Sequence, residues 1–306
     1  MKKIIHYFYD DIDIWKKNNK STFRICYYSW KKFCPDYEIK LWTPQMDEIK
    51  KLTQKSKFLS YCYKNKLWAF VSDYVRYYVL YNYGGIYLDT DVQLVQSPDE
   101  YMNLPFFCSI EGDIIEGRNI PEPAVMGGQK GHIVFKEILD FYNSDDIFKL
   151  NYPIANVVLG KYLFDKINFQ KIEYKNEYYE KLAEKYYDKN IYVNKISDFD
   201  LYTNQLVYKD ENNGISIYPS EYFCPTWDAH CEKAITKNTV AIHWNQSSWW
   251  KDYESIKNLF AKRYNNKFRQ FLFKYSERIA KLFTFFIPHK FIRKRLRNNI
   301  KKICEK

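Results

Sequence analysis

The segment from Leu67 to Asp91 constrains the fold of this 306-residue chain more than any other. The spacing of its apolar residues predicts a helix that ends at Tyr83, where two glycines follow, and glycine readily adopts the positive φ of a helix end. The next three residues are apolar and predict a short strand, after which come Asp89 and Asp91. The segment therefore predicts a helix, a sharp turn and a buried strand that carries two carboxylates at its end.

The N-terminal residues predict a strand, a helix and a second strand in succession. Lys3 to Tyr9 is typical of a buried strand, Ser21 to Phe33 favours a helix, and Tyr37 to Trp42 alternates between apolar and polar residues. This succession predicts an α/β domain with parallel strands. The hydrophobic content of 46% is ample for a sizeable core.

The pair Asp89 and Asp91 predicts a cation site. Residues two apart in a strand point to the same face, so the two carboxylates would lie together. Ligands of open α/β sheets bind at the carboxyl ends of the strands, and Mg²⁺ or Mn²⁺ binds carboxylates together with phosphate oxygens. The same spacing recurs at residues 11–13 and 198–200. Only the preceding helix and strand distinguish the middle pair.

Asp73 and Arg76 lie three residues apart and would share one face of the helix before this strand. Two interpretations remain open at this point. The pair is either an ordinary ion pair on the helix surface or a pair of side chains that bind a ligand near the carboxylates.

The run from Phe70 to Val92 resembles the glycosyltransferases whose sugar-binding region contains the DXD motif. This family includes bacterial capsular-polysaccharide and lipopolysaccharide transferases and yeast mannosyltransferases, with clostridial toxin glucosyltransferase domains as distant relatives. The resemblance extends to Ile4–Tyr7, to Ser29–Trp42 and to Val240–Trp249, so it spans roughly residues 1 to 250.

The resemblance implies a GT-A-like, Rossmann-type α/β fold that binds a nucleotide-diphospho-sugar with Mn²⁺ or Mg²⁺ and transfers the sugar with retention at the anomeric carbon. Carried over by position, Asp73 and Arg76 would hold donor-sugar hydroxyls. Asp89 and Asp91 would be the catalytic pair that binds the ribose and the metal, with Asp91 as the main metal ligand.

The resemblance also implies further contacts to the nucleotide and the metal. Tyr7 and Tyr9 would lie at the nucleotide, and Tyr9 occupies the place where the family often has a tryptophan. His243 would be a third metal ligand, since a neutral imidazole suits Mn²⁺, although a hydrogen-bonded core histidine is the alternative. Ser248 and Trp249 would belong to a loop that closes over the diphosphate.

The C-terminal residues 261–306 carry 15 Lys and Arg against two acidic residues, although the net charge of the whole chain is only +11. Apolar residues recur there at spacings of three and four, which predicts a basic amphipathic helical tail after a catalytic domain of residues 1–260. Such a helix can bind an anionic membrane surface. The alternative is that it packs on the catalytic domain or on a second subunit, and no nucleic-acid motif accompanies the charge.

The N-terminus becomes polar at His6, too early for a secretory signal. Seven cysteines without a C-x-x-C pair indicate reduced thiols. We therefore expect a cytoplasmic protein, peripheral on the inner face of the cytoplasmic membrane, where a lipid-linked acceptor would be found.

These observations together predict a hexosyltransferase that uses a nucleotide-sugar, UDP-linked rather than GDP-linked, and a glycan or lipid-linked acceptor in capsular or cell-surface polysaccharide synthesis. Two alternatives from other classes stay open. One is an inactive protein of the same fold that binds nucleotide-sugar or carbohydrate, and the other is a membrane-surface scaffold that acts through its basic helices.

Overall fold

The computed structural model describes residues 1–12, 22–113, 118–150, 153–166, 170–173, 192–195, 208–210, 214–225 and 235–245. The described residues of Met1–Asp145 and Ile154–Gln246 belong to one compact unit, which does not include residues 146–153. The account below concerns this unit. The predicted basic tail of residues 261–306 lies outside the described residues, and the predicted boundary at residue 260 stays a prediction.

The described residues form helices, strands and two short 3-10 helices at Asp99–Asn103 and Asp145–Lys149. The strands are β1 (Ile4–Phe8), β2 (Glu38–Trp42), β3 (Gly85–Leu88), β4 (Val92–Leu94), β5 (Phe106–Asp113), β6 (Arg118–Gly128), β7 (Gln170–Glu173), β8 (Tyr192–Lys195), β9 (Tyr208–Asp210), β10 (Ile215–Tyr218) and β11 (Ala241–His243). The helices are α1 (Thr22–Phe33), α2 (Asp47–Leu52), α3 (Lys57–Lys64), α4 (Trp68–Tyr83), α5 (Ile133–Asn143), α6 (Ala155–Lys166) and α7 (Ser220–Phe223).

A mixed seven-stranded sheet forms the centre of the unit, in the order β2-β1-β3-β6-β5-β10-β9. The strands β2, β1 and β3 run parallel, as do β5 and β10, whereas β6 is antiparallel to both of its neighbours. The predicted α/β class is confirmed. The antiparallel β6 was not predicted. It pairs with β3 on one side and with β5 on the other, and so joins the two groups of parallel strands.

Burial explains why the first strand and the fourth helix have so few polar residues. Every residue of β1 is buried, because β2 and β3 flank it and helices cover the sheet. Helix α4 packs against α3, α5, α6, β1 and β3, so most of its surface is enclosed. In the described part of the chain, no helix is both long and apolar enough to cross a bilayer.

The two glycines after α4 allow the chain to reverse and β3 to approach β1. Gly84 has φ +67° and Gly85 has φ +101°, values that side chains other than glycine rarely adopt. A Cβ atom at Gly85 would lie 2.6 Å from the backbone oxygen of Ile4. The prediction that the double glycine ends the helix is therefore confirmed, and close packing is a second reason for it.

Candidate functional site

Asp89 and Asp91 lie in a turn that connects β3 to β4, so the prediction that a strand carries both carboxylates is wrong. The backbone N–H of Val92 donates to the oxygen of Asp89 at 3.0 Å, and this bond closes the turn. The chain must turn here because β3 belongs to the central sheet, whereas β4 pairs with β11 in a separate two-stranded sheet. The backbone N–H of Asp89 donates to the backbone oxygen of Ala124 in β6 at 2.9 Å, and this bond holds the turn at the edge of the sheet.

Arg76 lies between two carboxylates at this edge. Its Nη2 donates to Oδ1 of Asp73 at 2.9 Å and lies 3.2 Å from Oδ1 of Asp89, while Nη1 donates to Oδ2 of Asp89 at 3.3 Å. A further bond from Nη1 reaches the backbone oxygen of Pro123 at 3.0 Å. Arg76 is 5% exposed and Asp73 is 9% exposed, so the interpretation as a surface ion pair is wrong.

The pKa values at this cluster reflect burial and the single positive charge. Burial raises the pKa of Asp73 to about 6, against the lowering effect of Arg76 and of the Ala155 N–H, which donates to Asp73 at 3.0 Å. Burial likewise raises the pKa of Asp89, and Arg76 again opposes it. Burial alone would lower the pKa of Arg76, but the two carboxylates raise it above its ordinary value. The guanidinium therefore stays charged.

His243 comes beside Asp91 because β11 pairs with β4, with His243 opposite Val92 in the register. Its Nε2 lies 3.4 Å from Oδ1 of Asp91, and the N–H of Trp244 donates to the backbone oxygen of Asp91 at 3.0 Å. Burial lowers the pKa of His243, but Asp91 opposes this effect strongly enough to hold that pKa well above its ordinary value. Residues more than 150 positions apart thus meet in one polar cluster.

Two residues that sequence reasoning missed lie on the other side of this imidazole. Nδ1 of His243 is 3.9 Å from Oε1 of Glu122 and 3.9 Å from Sγ of Cys224. Glu122 is held by the N–H of Ala124 at 2.8 Å and by Nδ2 of Asn156 at 2.7 Å. Burial raises the pKa of Glu122 to about 7, against the lowering effect of His243. No local motif marks either residue, since β6, α7 and β11 bring them together only in the fold.

The side of the cluster at Asp91 fits a divalent cation. Two ligands about 2.1 Å from one ion lie about 3.0 to 3.5 Å apart, and Oδ1 of Asp91 and Nε2 of His243 are 3.4 Å apart. Carboxylate oxygen and imidazole nitrogen are ligands that Mn²⁺ accepts. Asp89 is less available, because both of its oxygens contact Arg76.

The two tyrosines predicted at the nucleotide have different surroundings. Tyr7 is buried, and its ring lies 5.3 Å from that of Trp30 in an edge-to-face contact. Tyr9 is partly exposed, follows the end of β1 and stacks on Phe23 with a centroid distance of 6.5 Å. Nucleotide contact stays a prediction for both. Ser248 and Trp249 lie outside the described residues.

Comparison with known proteins finds similarity to glycosyltransferases. Residues 20–106 match a family described as "Glycosyltransferase sugar-binding region containing DXD motif". The chain is also 36% identical over 102 residues to inositol phosphoceramide mannosyltransferase 3 of Schizosaccharomyces pombe (strain 972 / ATCC 24843). That match covers 32% of this chain and 26% of the relative, so the chain spans about a quarter of the relative's length.

Among solved structures, the PaToxG glycosyltransferase is similar with a TM-score of 0.43 and 15% sequence identity, over 55% of this chain and 70% of that one. The resemblance predicted from the sequence is confirmed by the match to residues 20–106, which contains Asp73, Arg76, Asp89 and Asp91. These sequence matches support a role in glycosyl transfer. His243 lies beyond the matched residues.

Proposed function

Because residues 20–106 contain a glycosyltransferase sugar-binding region with its DXD pair, we propose that this chain transfers a hexose from a nucleotide-sugar with the help of a divalent cation. One observation carries the proposal. The Asp73–Arg76–Asp89 cluster, in which Asp73 and Arg76 are buried, lies at the same sheet edge as the Asp91–His243 pair. The first offers hydrogen-bonding groups to a sugar, and the second offers ligands to a cation that binds a diphosphate.

Asp73 and Arg76 bind the donor sugar in this proposal. Among the described residues, Nε of Arg76 is a buried donor without an acceptor, and such a donor calls for a ligand oxygen or a water. Each carboxylate oxygen of Asp73 accepts one hydrogen bond and has capacity for another. Since Arg76 also holds Asp89, sugar binding and the orientation of the turn are coupled through one side chain.

Asp91 and His243 hold the cation, Mn²⁺ or Mg²⁺, and Asp89 contributes to ribose and metal binding through the same turn. When bound, the cation neutralises the charge of the departing diphosphate. The role of the chain is to fix both ligands before the donor arrives. The pairing of β11 with β4 does so at the backbone, since the Trp244 N–H donates to Asp91.

The reaction proceeds with retention in this proposal. The donor binds first, and the residues that include Ser248 and Trp249 close over it and exclude water. An acceptor hydroxyl then forms a bond to the anomeric carbon on the face from which the diphosphate leaves. The bond to the diphosphate oxygen breaks, and the acceptor proton passes to the leaving phosphate.

A UDP-linked sugar is the proposed donor, and a glycan or lipid-linked acceptor at the cytoplasmic face of the membrane is the proposed partner, with surface polysaccharide as the product. The name of the yeast relative mentions a lipid acceptor, inositol phosphoceramide. The 15 Lys and Arg of residues 261–306 give the chain a segment that can bind an anionic membrane. Both observations favour an acceptor attached to lipid.

The test is calorimetric binding of UDP, GDP and CMP to the full chain, each with and without Mn²⁺, followed by a transfer assay with the nucleotide-sugar of the base that binds. We expect UDP binding that requires Mn²⁺ and is lost in Asp91→Asn. The exposed Asp47 provides the matched control Asp47→Asn. Absence of Mn²⁺-dependent binding in the folded wild type would overturn the proposal. Binding without transfer would favour an inactive nucleotide-sugar-binding protein.

A further inference from the structure

The side of His243 that faces away from Asp91 carries a second set of ligand atoms. Oε1 of Glu122, Sγ of Cys224 and Nδ1 of His243 all lie within 4.8 Å of one another. The three residues come from β6, from the end of α7 and from β11. Glu122 and Cys224 are buried, and His243 is partly buried.

The distances in this cluster are too long for hydrogen bonds between nitrogen and oxygen and suit a shared ion. Nδ1 of His243 lies 3.9 Å from Oε1 of Glu122, whereas N–H···O bonds are usually about 2.9 Å long. Its contact with Sγ of Cys224, also 3.9 Å, is a long hydrogen bond to sulfur. A tetrahedral ion with nitrogen at about 2.0 Å and sulfur at about 2.3 Å holds those two atoms about 3.5 Å apart. To reach tetrahedral positions the nitrogen and sulfur would approach each other by about 0.4 Å and the nitrogen and oxygen by about 0.6 Å.

The ligand types select a different ion from the one proposed at Asp91. A thiolate is a soft ligand that favours Zn²⁺, whereas Mn²⁺ and Mg²⁺ favour oxygen. Glu122 is already held in place by the Ala124 N–H and by Asn156, so little ordering is needed to present its oxygen. Carboxylate, thiolate and imidazole together form a three-residue set that leaves a fourth position for water.

We propose that Glu122, Cys224 and Nδ1 of His243 form a binding site for Zn²⁺, separate from the cation position at Asp91 but sharing its histidine. A neutral imidazole has one lone pair and one N–H. With Zn²⁺ on Nδ1, the proton is on Nε2 and faces Oδ1 of Asp91 at 3.4 Å. When Zn²⁺ is bound, His243 is therefore no longer available to the cation at Asp91. Binding of either ion weakens binding of the other, because both use the same imidazole. Only this antagonism rests on the proposed function.

Cobalt binding tests the site directly, since Co²⁺ substitutes for Zn²⁺ and absorbs in the near ultraviolet when a thiolate binds it. The full chain, stripped of metal with a chelator and free of nucleotide, is titrated with Co²⁺. We expect a thiolate-to-cobalt band in the wild type that disappears on addition of Zn²⁺. Cys224→Ser should lose the band, whereas Cys62→Ser, at another buried cysteine outside the cluster, should keep it.

Glu122→Gln provides a second variant in case Cys224→Ser does not fold, and circular dichroism checks the fold of each protein. We expect Glu122→Gln to keep the band and to weaken Co²⁺ binding by about tenfold, since one charged ligand is replaced. Absence of the band in the folded wild type would overturn the proposal. So would an unchanged band in folded Cys224→Ser, or unchanged Co²⁺ affinity in Glu122→Gln.

Competition with Mn²⁺ tests the antagonism separately. Paramagnetic resonance of free Mn²⁺ should show that Zn²⁺ weakens Mn²⁺ binding to the wild type by about tenfold or more, and that Cys224→Ser removes this effect. Mn²⁺ binding that Zn²⁺ leaves unchanged would overturn the shared-histidine step. If the protein shows the cobalt band but binds no nucleotide, the zinc site is supported and the proposed function is overturned. Failure of the zinc proposal and failure of the proposed function therefore give different results.

Discussion

The two sides of the candidate site differ in how their charges are balanced. On the Arg76 side, one guanidinium contacts Asp73 and Asp89 directly at 2.9 to 3.3 Å, so the charges are paired within the chain. On the His243 side, the imidazole is separated from Asp91, Glu122 and Cys224 by 3.4 to 3.9 Å. The charged groups of the first side are in direct contact with one another, whereas the atoms of the second side are far enough apart to hold an ion between them. The Arg76 side is thus held together by ion pairs within the chain, whereas the His243 side is where we propose that cations bind.

Removal of Arg76 should have the largest effect on stability. Arg76→Met leaves the buried Asp73 and the partly buried Asp89 without a counter-charge, and loss of one partner of a buried pair costs about 3 to 5 kcal/mol. Urea unfolding followed by circular dichroism measures the loss. Lys57→Met, at an exposed bridge to Asp145, is the control and should cost less than about 1 kcal/mol. Equal stability of the two variants would contradict the view that the Arg76 side depends on paired charges.

Asp91→Asn tests the other side, where the effect should fall on cation binding rather than on folding. We expect a loss of Mn²⁺-dependent nucleotide affinity of about a hundredfold, because the amide oxygen carries no charge for the cation. The unfolding midpoint should change less than in Arg76→Met, since the backbone bond from the Trp244 N–H to residue 91 is kept. Calorimetry and urea unfolding of the same preparations separate the two effects. A large loss of stability with unchanged Mn²⁺ binding would show that Asp91 stabilises the fold and does not bind the cation.

His6 provides a reference for His243, because it is a buried histidine with both ring nitrogens hydrogen-bonded at normal length. Nε2 donates to the oxygen of Gly84 at 2.9 Å, and Nδ1 accepts from Trp42 at 3.0 Å. Burial lowers the pKa of His6 to about 4. The neutral ring is therefore favoured above pH 6.5, and stability is lost as the pH falls from there through about 4.

The lowered pKa predicts that His6 accounts for about 2 kcal/mol of the decrease in unfolding free energy between pH 7 and pH 5. In His6→Gln this decrease should be smaller by that amount, as measured by urea unfolding at both pH values. His132→Gln is the control, because His132 is only half-buried. The same pH dependence in His6→Gln and wild type would show that His6 does not titrate as a buried neutral histidine.

The smallest expected effect concerns Tyr9, which is predicted to lie at the nucleotide. If its ring stacks on the base, Tyr9→Ala should weaken Mn²⁺-dependent nucleotide binding by about tenfold, a loss of about 1.4 kcal/mol. Tyr28→Ala, at an exposed tyrosine of α1, is the matched control. If calorimetry finds equal nucleotide affinities for both variants, Tyr9 does not contact the base, and other residues must make that contact.

Most of the elements around the site were predictable because their signals are local. The predicted helix from Leu67 to Tyr83 and the observed helix α4 differ by one residue, and β1, β2, β3 and α1 likewise agree to within one residue at each end. The strand assumed at Asp89 and Asp91 was wrong. Periodicity extends a strand as long as the pattern continues, whereas the position of the turn depends on which sheet the next strand joins.

The sequence by itself indicated that Asp73, Arg76 and Asp89 lie near one another, because they come from one helix and from the end of the short strand that follows it. The resemblance to a known family indicated His243 as a candidate metal ligand. Only the tertiary structure decided that Arg76 is buried between two carboxylates and that Glu122 and Cys224 contact the far side of the imidazole. The physical reason is that helix and strand periods fix neighbours within a few residues, whereas the meeting of β6, α7 and β11 depends on sheet order and packing, which no local pattern records.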